Sequence, residues 1–257
     1  MQDKSKQPIL AHFDEIRIRL VRCSIAFIVA LAVSFPLPRY IYPILMKPVE
    51  GIELYYFEVT GLFSSYVKIW LFLALAISGP YILYHIVMFI RPALRRKEKG
   101  YLYTLLPATI IFFIGGVVFC YFVLLPPGLT FLYRQFPEWL GGDIKPLWSV
   151  TDYVSVITQL LFWVGVVFEI PLVMFFLSKI GILSPQWAIK KWKWAVILAF
   201  LLGAIITPTP DPLNQTLVAV PILLLYFLGC FLAWVARKGM PFRSKKSKAN
   251  TEGPISR

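Results

Sequence analysis

Acidic residues are scarce in this chain: 13 Asp and Glu stand against 26 Lys and Arg among 257 residues, with only two histidines and three cysteines. Each shortage excludes something. With His12 and His85 as the only histidines there is no HExxH pair. Cys23, Cys120 and Cys230 lie in or beside apolar stretches without metal-ligand spacing. No metal site and no cofactor are therefore expected, and the cysteines read as small core residues. No Walker-type glycine loop and no GxSxG occurs, and the Asp143 of Gly141-Gly142-Asp143 is a lone loop aspartate without the partner a membrane aspartyl protease needs. No enzyme is expected. The net charge of +13 comes without any nucleic-acid recognition module, so the basic residues are assigned to membrane topology and anionic lipid, not to nucleic acid.

Apolar residues are what the chain has in excess. They make up 58% of it, mean hydropathy is +0.71, and only 15% of residues are charged. A soluble domain of this size needs no such balance, so the bilayer is the solvent. Six apolar stretches read as transmembrane helices, at residues 23–37, 63–90, 101–125, 153–177, 195–206 and 217–235. The expectation is an all-α, polytopic protein in which the fifth and sixth helices are short. The fifth, if it starts at residue 195, covers about 18 Å against a hydrocarbon core of about 30 Å. Either it extends back through Trp192 and Trp194 or the bilayer thins beside it.

Positive charge orients the spans. All 26 basic residues except Arg39, Lys47, Lys68, Arg134 and Lys145 fall in the N-terminal arm, the second and fourth loops, or the tail. The positive-inside rule then predicts that both termini are cytoplasmic. Three regions follow: a cytoplasmic amphipathic segment over 1–22, a six-helix transmembrane domain over 23–238, and a basic, disordered tail over 239–257. Loops 38–62 and 126–152 are expected to form a structured extracytoplasmic cap, with Tyr40, Tyr42, Tyr55, Trp139 and Trp148 as interfacial anchors.

Glu169 is the sharpest single residue, because an ionisable group inside an apolar span is a functional hypothesis by default. At 100° per residue it shares a face with Thr158, Phe162 and Gly165, and Pro171 removes a backbone donor nearby. That face is expected to meet protein or water, opening onto a polar concavity. The competing reading is a protonated glutamic acid hydrogen-bonded to a neighbouring helix. In His12-Phe13-Asp14-Glu15-Ile16-Arg17-Ile18-Arg19-Leu20, apolar residues recur at i, i+3 and i+7, and Glu15 and Arg19 are spaced for an i, i+4 pair. The second loop, 89–99, holds one acid, Glu98, among five bases.

Five segments in this order resemble the TatC family, the multispanning subunit of the twin-arginine protein translocase. They are HFDEIRIRL near the N-terminus, FIRPALRRKEKG after the second span, Phe113-x-x-Gly116-x-x-Phe119-x-Tyr121, GVVFEIPLV around Glu169, and AIITPTPDPLNQTLVAVP before the last span. The resemblance implies a receptor for twin-arginine signal peptides of folded cargo. It makes Glu15 and Glu98 the contacts for the signal's arginines, with Arg17 and Arg19 shaping the site and Phe89 also on a family position. Carboxylates bind guanidinium in bidentate fashion, which distinguishes arginine from lysine. Pro48, Asp211 and Gln215 match positions associated with partner contact, and Glu169 matches the family's intramembrane glutamate. The implied partners are single-span TatA/TatB-type subunits, further TatC copies and membrane lipid, in the bacterial cytoplasmic (inner) membrane, with export driven by the proton gradient. The chain departs from the pattern at Tyr226-Phe227, where many relatives carry a second acid. A proton- or ion-coupled solute transporter using Glu169 is the rival reading, but the inverted repeats and paired broken helices that would favour it are not found.

Overall fold

The structure, a computed structural model, describes residues 7–89, 100–139, 141, 147–207 and 211–238. Helix α1 (Gln7–Ser34) carries the amphipathic segment and the first apolar stretch without a break. The chain then turns through Phe35-Pro36-Leu37, and residues 38–49 leave at 77° to α1 as α2 (Pro38–Met46) and a 3-10 turn (Lys47–Val49). Strand β1 (Leu54–Tyr55) leads to α3 (Gly61–Phe89), which packs along α1. Trp70 fixes that pairing by donating its indole N–H to the Leu31 carbonyl at 2.8 Å.

Helix α4 (Gly100–Phe119) is followed by a π turn (Cys120–Leu124), α5 (Leu125–Thr130), a second π turn (Phe131–Gln135) and α6 (Phe136–Trp139). Strand β2 (Trp148–Ser149) opens α7 (Val150–Val167), and after a two-residue break α8 (Ile170–Lys179) continues the same span. Gly181, at φ +83°, supplies the left-handed residue that ends α8. Short α9 (Pro185–Lys190), α10 (Trp192–Ile206) and α11 (Pro212–Lys238) complete the chain, with α11 lying against α8 and α10. Among the described residues four helices are long and apolar enough to cross a membrane, and a fifth crossing follows if α1 and the bent segment after it count as one. The side chains Ile28, Phe122, Ile197 and Leu224 stay exposed, as expected of a surface solvated by lipid.

Two sequence expectations need correction. The third apolar stretch does not give way to a loop at Pro126, since helix continues to Trp139. Pro126 and Pro127 follow directly on the π turn, whose changed register accommodates their two missing N–H donors within the continuing helix. The last helix is not short either. Its 27 residues extend the apolar stretch at both ends through polar residues that hydropathy excludes, and Asp211 Oδ1 accepts the Asn214 N–H at 2.7 Å as an N-cap does. Helix α10 does begin at Trp192; its 15 residues rise about 22 Å.

The two long loops meet. Leu54 pairs with Trp148 and Tyr55 with Ser149 in a parallel two-residue ladder. Tyr121 and Tyr153 donate their hydroxyls to the Ile44 and Leu45 carbonyls, each at 2.7 Å, which ties α2 to α7 and to the π turn. Leu45 and Val49 are buried in one cluster with Cys120, Leu124, Val154 and Ile157. Trp148 therefore faces Tyr133 and Tyr153 within the cap, with ring centroids at 5.7 and 6.4 Å. Tyr40, Tyr55 and Trp139 do stay exposed.

Candidate functional site

At the end of the molecule where α1 begins, Glu15 and Arg19 share a helix face and form an ion pair. Arg19 also crosses to α3, donating Nη1–H to the His85 carbonyl at 3.2 Å. His85 is itself buried, with Tyr81 and Tyr84 edge-on to its ring. Arg19 thus brings the first turns of α1 to within one helical turn of Phe89, where α3 ends. Arg17 is exposed on the same stretch. Glu98 lies outside the described residues, as do Arg91 and residues 95–97. Hydrogen-bonding capacity remains: Arg19 Nε and His85 Nδ1 are buried without a partner among the described residues. Sequence reading missed His85, although a lone histidine in an apolar run was a signal for it.

A second feature is the break in the span at Phe168 and Glu169. The Glu169 N–H bonds the Val166 carbonyl at 3.1 Å, its own carbonyl accepts from Val173 at 2.9 Å, and Pro171 starts the new helix. The side chain is 4% exposed, and neither carboxylate oxygen has a hydrogen-bond partner among the described residues. It meets protein and not lipid, as its helix face suggested, but it does not open onto a concavity in the isolated chain. Nor is it the hydrogen-bonded acid of the competing reading. The Thr158 hydroxyl bonds back to Val154 O at 2.7 Å in its own helix, so it does not serve the carboxylate.

The glycine-aromatic motif on α4 explains why the break is so enclosed. A Cβ on Gly116 would lie 2.8 Å from Phe168 Cβ and 2.9 Å from Gly165 Cα, and one on Gly165 would lie 2.8 Å from a Phe113 ring carbon. Phe119 packs on Phe168 at 5.3 Å between centroids. The motif is a close crossing of α4 over α7 immediately before Glu169.

The third feature is the turn between α10 and α11. Asp211 is half-buried and accepts from Asn214 through both oxygens, at 2.7 and 3.0 Å. Gln215 Nε2 donates to the Phe200 carbonyl at 2.8 Å, and the Gln215 backbone approaches Gly203 so closely that a Cβ there would lie 2.9 Å from it. Pro48 is half-buried in the 3-10 turn of the cap, on a different element from Asp211 and Gln215. Where the sequence carries Tyr226 in place of an acid, the phenol donates to the Ala188 carbonyl at 2.6 Å and holds α9 on α11. In the cap, Tyr55 donates to the Glu53 carboxylate, which holds the phenol pKa above its ordinary value. Lys68, just inside α3, reaches Ser155 Oγ at 2.5 Å and links α3 to α7. Among the described residues no group of three metal-ligating side chains occurs.

Comparison with known proteins places these features in a family. The family described as "Sec-independent protein translocase protein (TatC)" matches residues 11–221. "Sec-independent protein translocase protein TatC" of Aquifex aeolicus is 35% identical over 236 residues, covering 90% of this chain and 96% of the relative. "Uncharacterized tatC-like protein ycf43" of the red alga Pyropia yezoensis is 34% identical over 231 residues, covering 90% and 89%. A solved structure, "Crystal Structure of Twin Arginine Translocase Receptor- TatC", superimposes with a TM-score of 0.76 at 35% identity, covering 88% of this chain and 99% of that one.

Proposed function

The chain belongs to the TatC family, and from that premise we propose that it is the cargo receptor of its translocase, binding twin-arginine signal peptides through Glu15 and Glu98. It is a multi-pass membrane protein and a core subunit of the Sec-independent, twin-arginine protein translocase. Glu15 lies on the stretch of α1 that Arg19 ties to α3, and Glu98 follows α3 in the sequence. Arg17 and Arg19 shape this surface, and Phe89 stands at its edge. The observation that carries the reading is the Arg19 bridge, which holds the Glu15 turn against the end of α3. It ties the acid-bearing stretch of α1 to the helix that precedes Glu98 in the sequence.

The wider reading follows the charge distribution. The chain crosses the bacterial cytoplasmic membrane six times with both termini inside, 1–22 forming the cytoplasmic approach and 239–257 a basic tail. Pro48, Asp211 and Gln215 contact single-span TatA/TatB-type subunits or further TatC copies, and Glu169 serves the gradient-driven step that follows recognition. No covalent chemistry is involved. A solute transporter built on Glu169 would need an aqueous path to that carboxylate, which is buried.

Glu15→Gln and Glu98→Gln test the receptor reading. Each removes a charge-assisted hydrogen bond worth roughly 1.5–3 kcal/mol, about 10- to 150-fold in affinity for a twin-arginine peptide, while the protein stays folded. Unchanged binding in both variants rejects the assignment.

A further inference from the structure

The receptor carboxylate is already occupied. Arg19 Nη2 bonds Glu15 Oε1, so a guanidinium of this chain sits where the reading above puts a guanidinium of the cargo. A cargo arginine can engage Glu15 in bidentate fashion, and so be told from lysine, only if that oxygen is released.

The surroundings of Arg19 suit release. Its guanidinium has a second anchor on α3, the His85 carbonyl, which does not depend on Glu15. In the paired arrangement Arg19 Nε and His85 Nδ1 are both buried and both lack a partner among the described residues. One is an N–H donor, and the other is an acceptor in the neutral tautomer that carries its proton on Nε2. Held by Glu15, Arg19 leaves Nδ1 of the histidine whose carbonyl it bonds without a partner among the described residues; freed from Glu15, it can turn further onto His85. Exposure agrees: the Glu15 side chain is 34% exposed and the Arg19 side chain 15%, so an incoming group meets the carboxylate first and Arg19 retires toward the protein.

We propose that Arg19 is a resident guanidinium that occupies Glu15 in the empty receptor and is displaced onto His85 by the first arginine that binds. The inference deepens the receptor reading and rests on it. Its function is to set a threshold. A lysine, with one compact ammonium, competes poorly against a two-anchor guanidinium for the carboxylate, so the resident arginine filters out weak cations while lowering the affinity for genuine signals.

Binding of a fluorescent twin-arginine signal peptide to the full-length protein in nanodiscs tests this, with a twin-lysine peptide and the Glu15→Gln variant alongside. Removing the competitor in Arg19→Gln should tighten twin-arginine binding about two- to fivefold, the range for a half-exposed i, i+4 pair. Arg22→Gln, which removes the same charge one turn along without touching Glu15, should not tighten it. Arg19→Lys, which keeps the charge, should lie between wild type and Arg19→Gln and serves if the latter does not fold. Weaker or unchanged twin-arginine binding in the folded Arg19 variants overturns the proposal and makes Arg19 a positioning residue. Equal tightening in Arg19→Gln and Arg22→Gln also overturns it, in favour of general charge repulsion. Failure of the receptor reading itself looks different: wild type and Glu15→Gln would then bind alike.

Discussion

Glu169 combines two properties that are costly together, deep burial and two oxygens without partners among the described residues. An ionised acid at the centre of a lipid-facing helix costs about 2.5–3.5 kcal/mol on insertion scales, and protein burial without hydrogen bonds gives no relief. Such a residue persists when something else in its working cycle meets it, so Glu169→Ala is expected to abolish or strongly impair export while leaving twin-arginine peptide binding at Glu15 within about twofold. Full export by that variant would reduce Glu169 to a structural residue. Tyr226 makes the opposite case. Its phenol is satisfied by the Ala188 carbonyl, so Tyr226→Phe should lower stability by about 0.5–1.5 kcal/mol in reversible unfolding, with no specific loss of transport.

Elements were legible from the sequence in proportion to how far local chemistry decides them. The apolar stretches at 63–90 and 153–177 became α3 and the α7–α8 span because nothing but a helix satisfies a backbone in lipid. Ends were less legible. Hydropathy marks where residues prefer lipid and says nothing of where hydrogen bonding stops, so helix beyond Pro127 and the polar flanks of α11 went unread. The Phe113-to-Tyr121 motif was visible as a pattern and opaque as physics until α7 lay against it. Its glycines make room for Gly165 and Phe168, a tertiary fact that no periodicity carries. Gly116→Leu should therefore push α4 off α7 at a cost of about 1–3 kcal/mol or more, read as a lowered thermal midpoint in detergent. Gly115→Leu, where a Cβ meets nothing within 4 Å, should be tolerated. The Glu15 end of α1 was legible only in part: the Glu15–Arg19 pair follows from i, i+4 spacing, but the bond to His85 joins residues 66 apart.

On the scale of the whole molecule, the cap and the Arg19 bridge lie at opposite ends of α1 and α3. The Trp70 bond to Leu31 and the ladder between 54–55 and 148–149 hold one end, and Arg19 meets His85 at the other. The basic residues concentrate in alternate segments of the sequence, the pattern the positive-inside rule assigns to the cytoplasmic face. Single cysteines introduced at Trp148 and at Lys246 should therefore be labelled by impermeant reagents from opposite faces of the membrane. Labelling of both from the same face contradicts the six-crossing topology.

The central claim is that the end of the molecule bearing Glu15 receives twin-arginine signals. A photo-crosslinking amino acid placed at Ile16, exposed beside Glu15, tests it most directly, using the full chain in membranes and a signal peptide offered in twin-arginine and twin-lysine forms. The account predicts a crosslink with the twin-arginine form that falls at least tenfold with the twin-lysine form and is competed away by unlabelled twin-arginine peptide. Equal crosslinking of the two forms, or none with either, contradicts it.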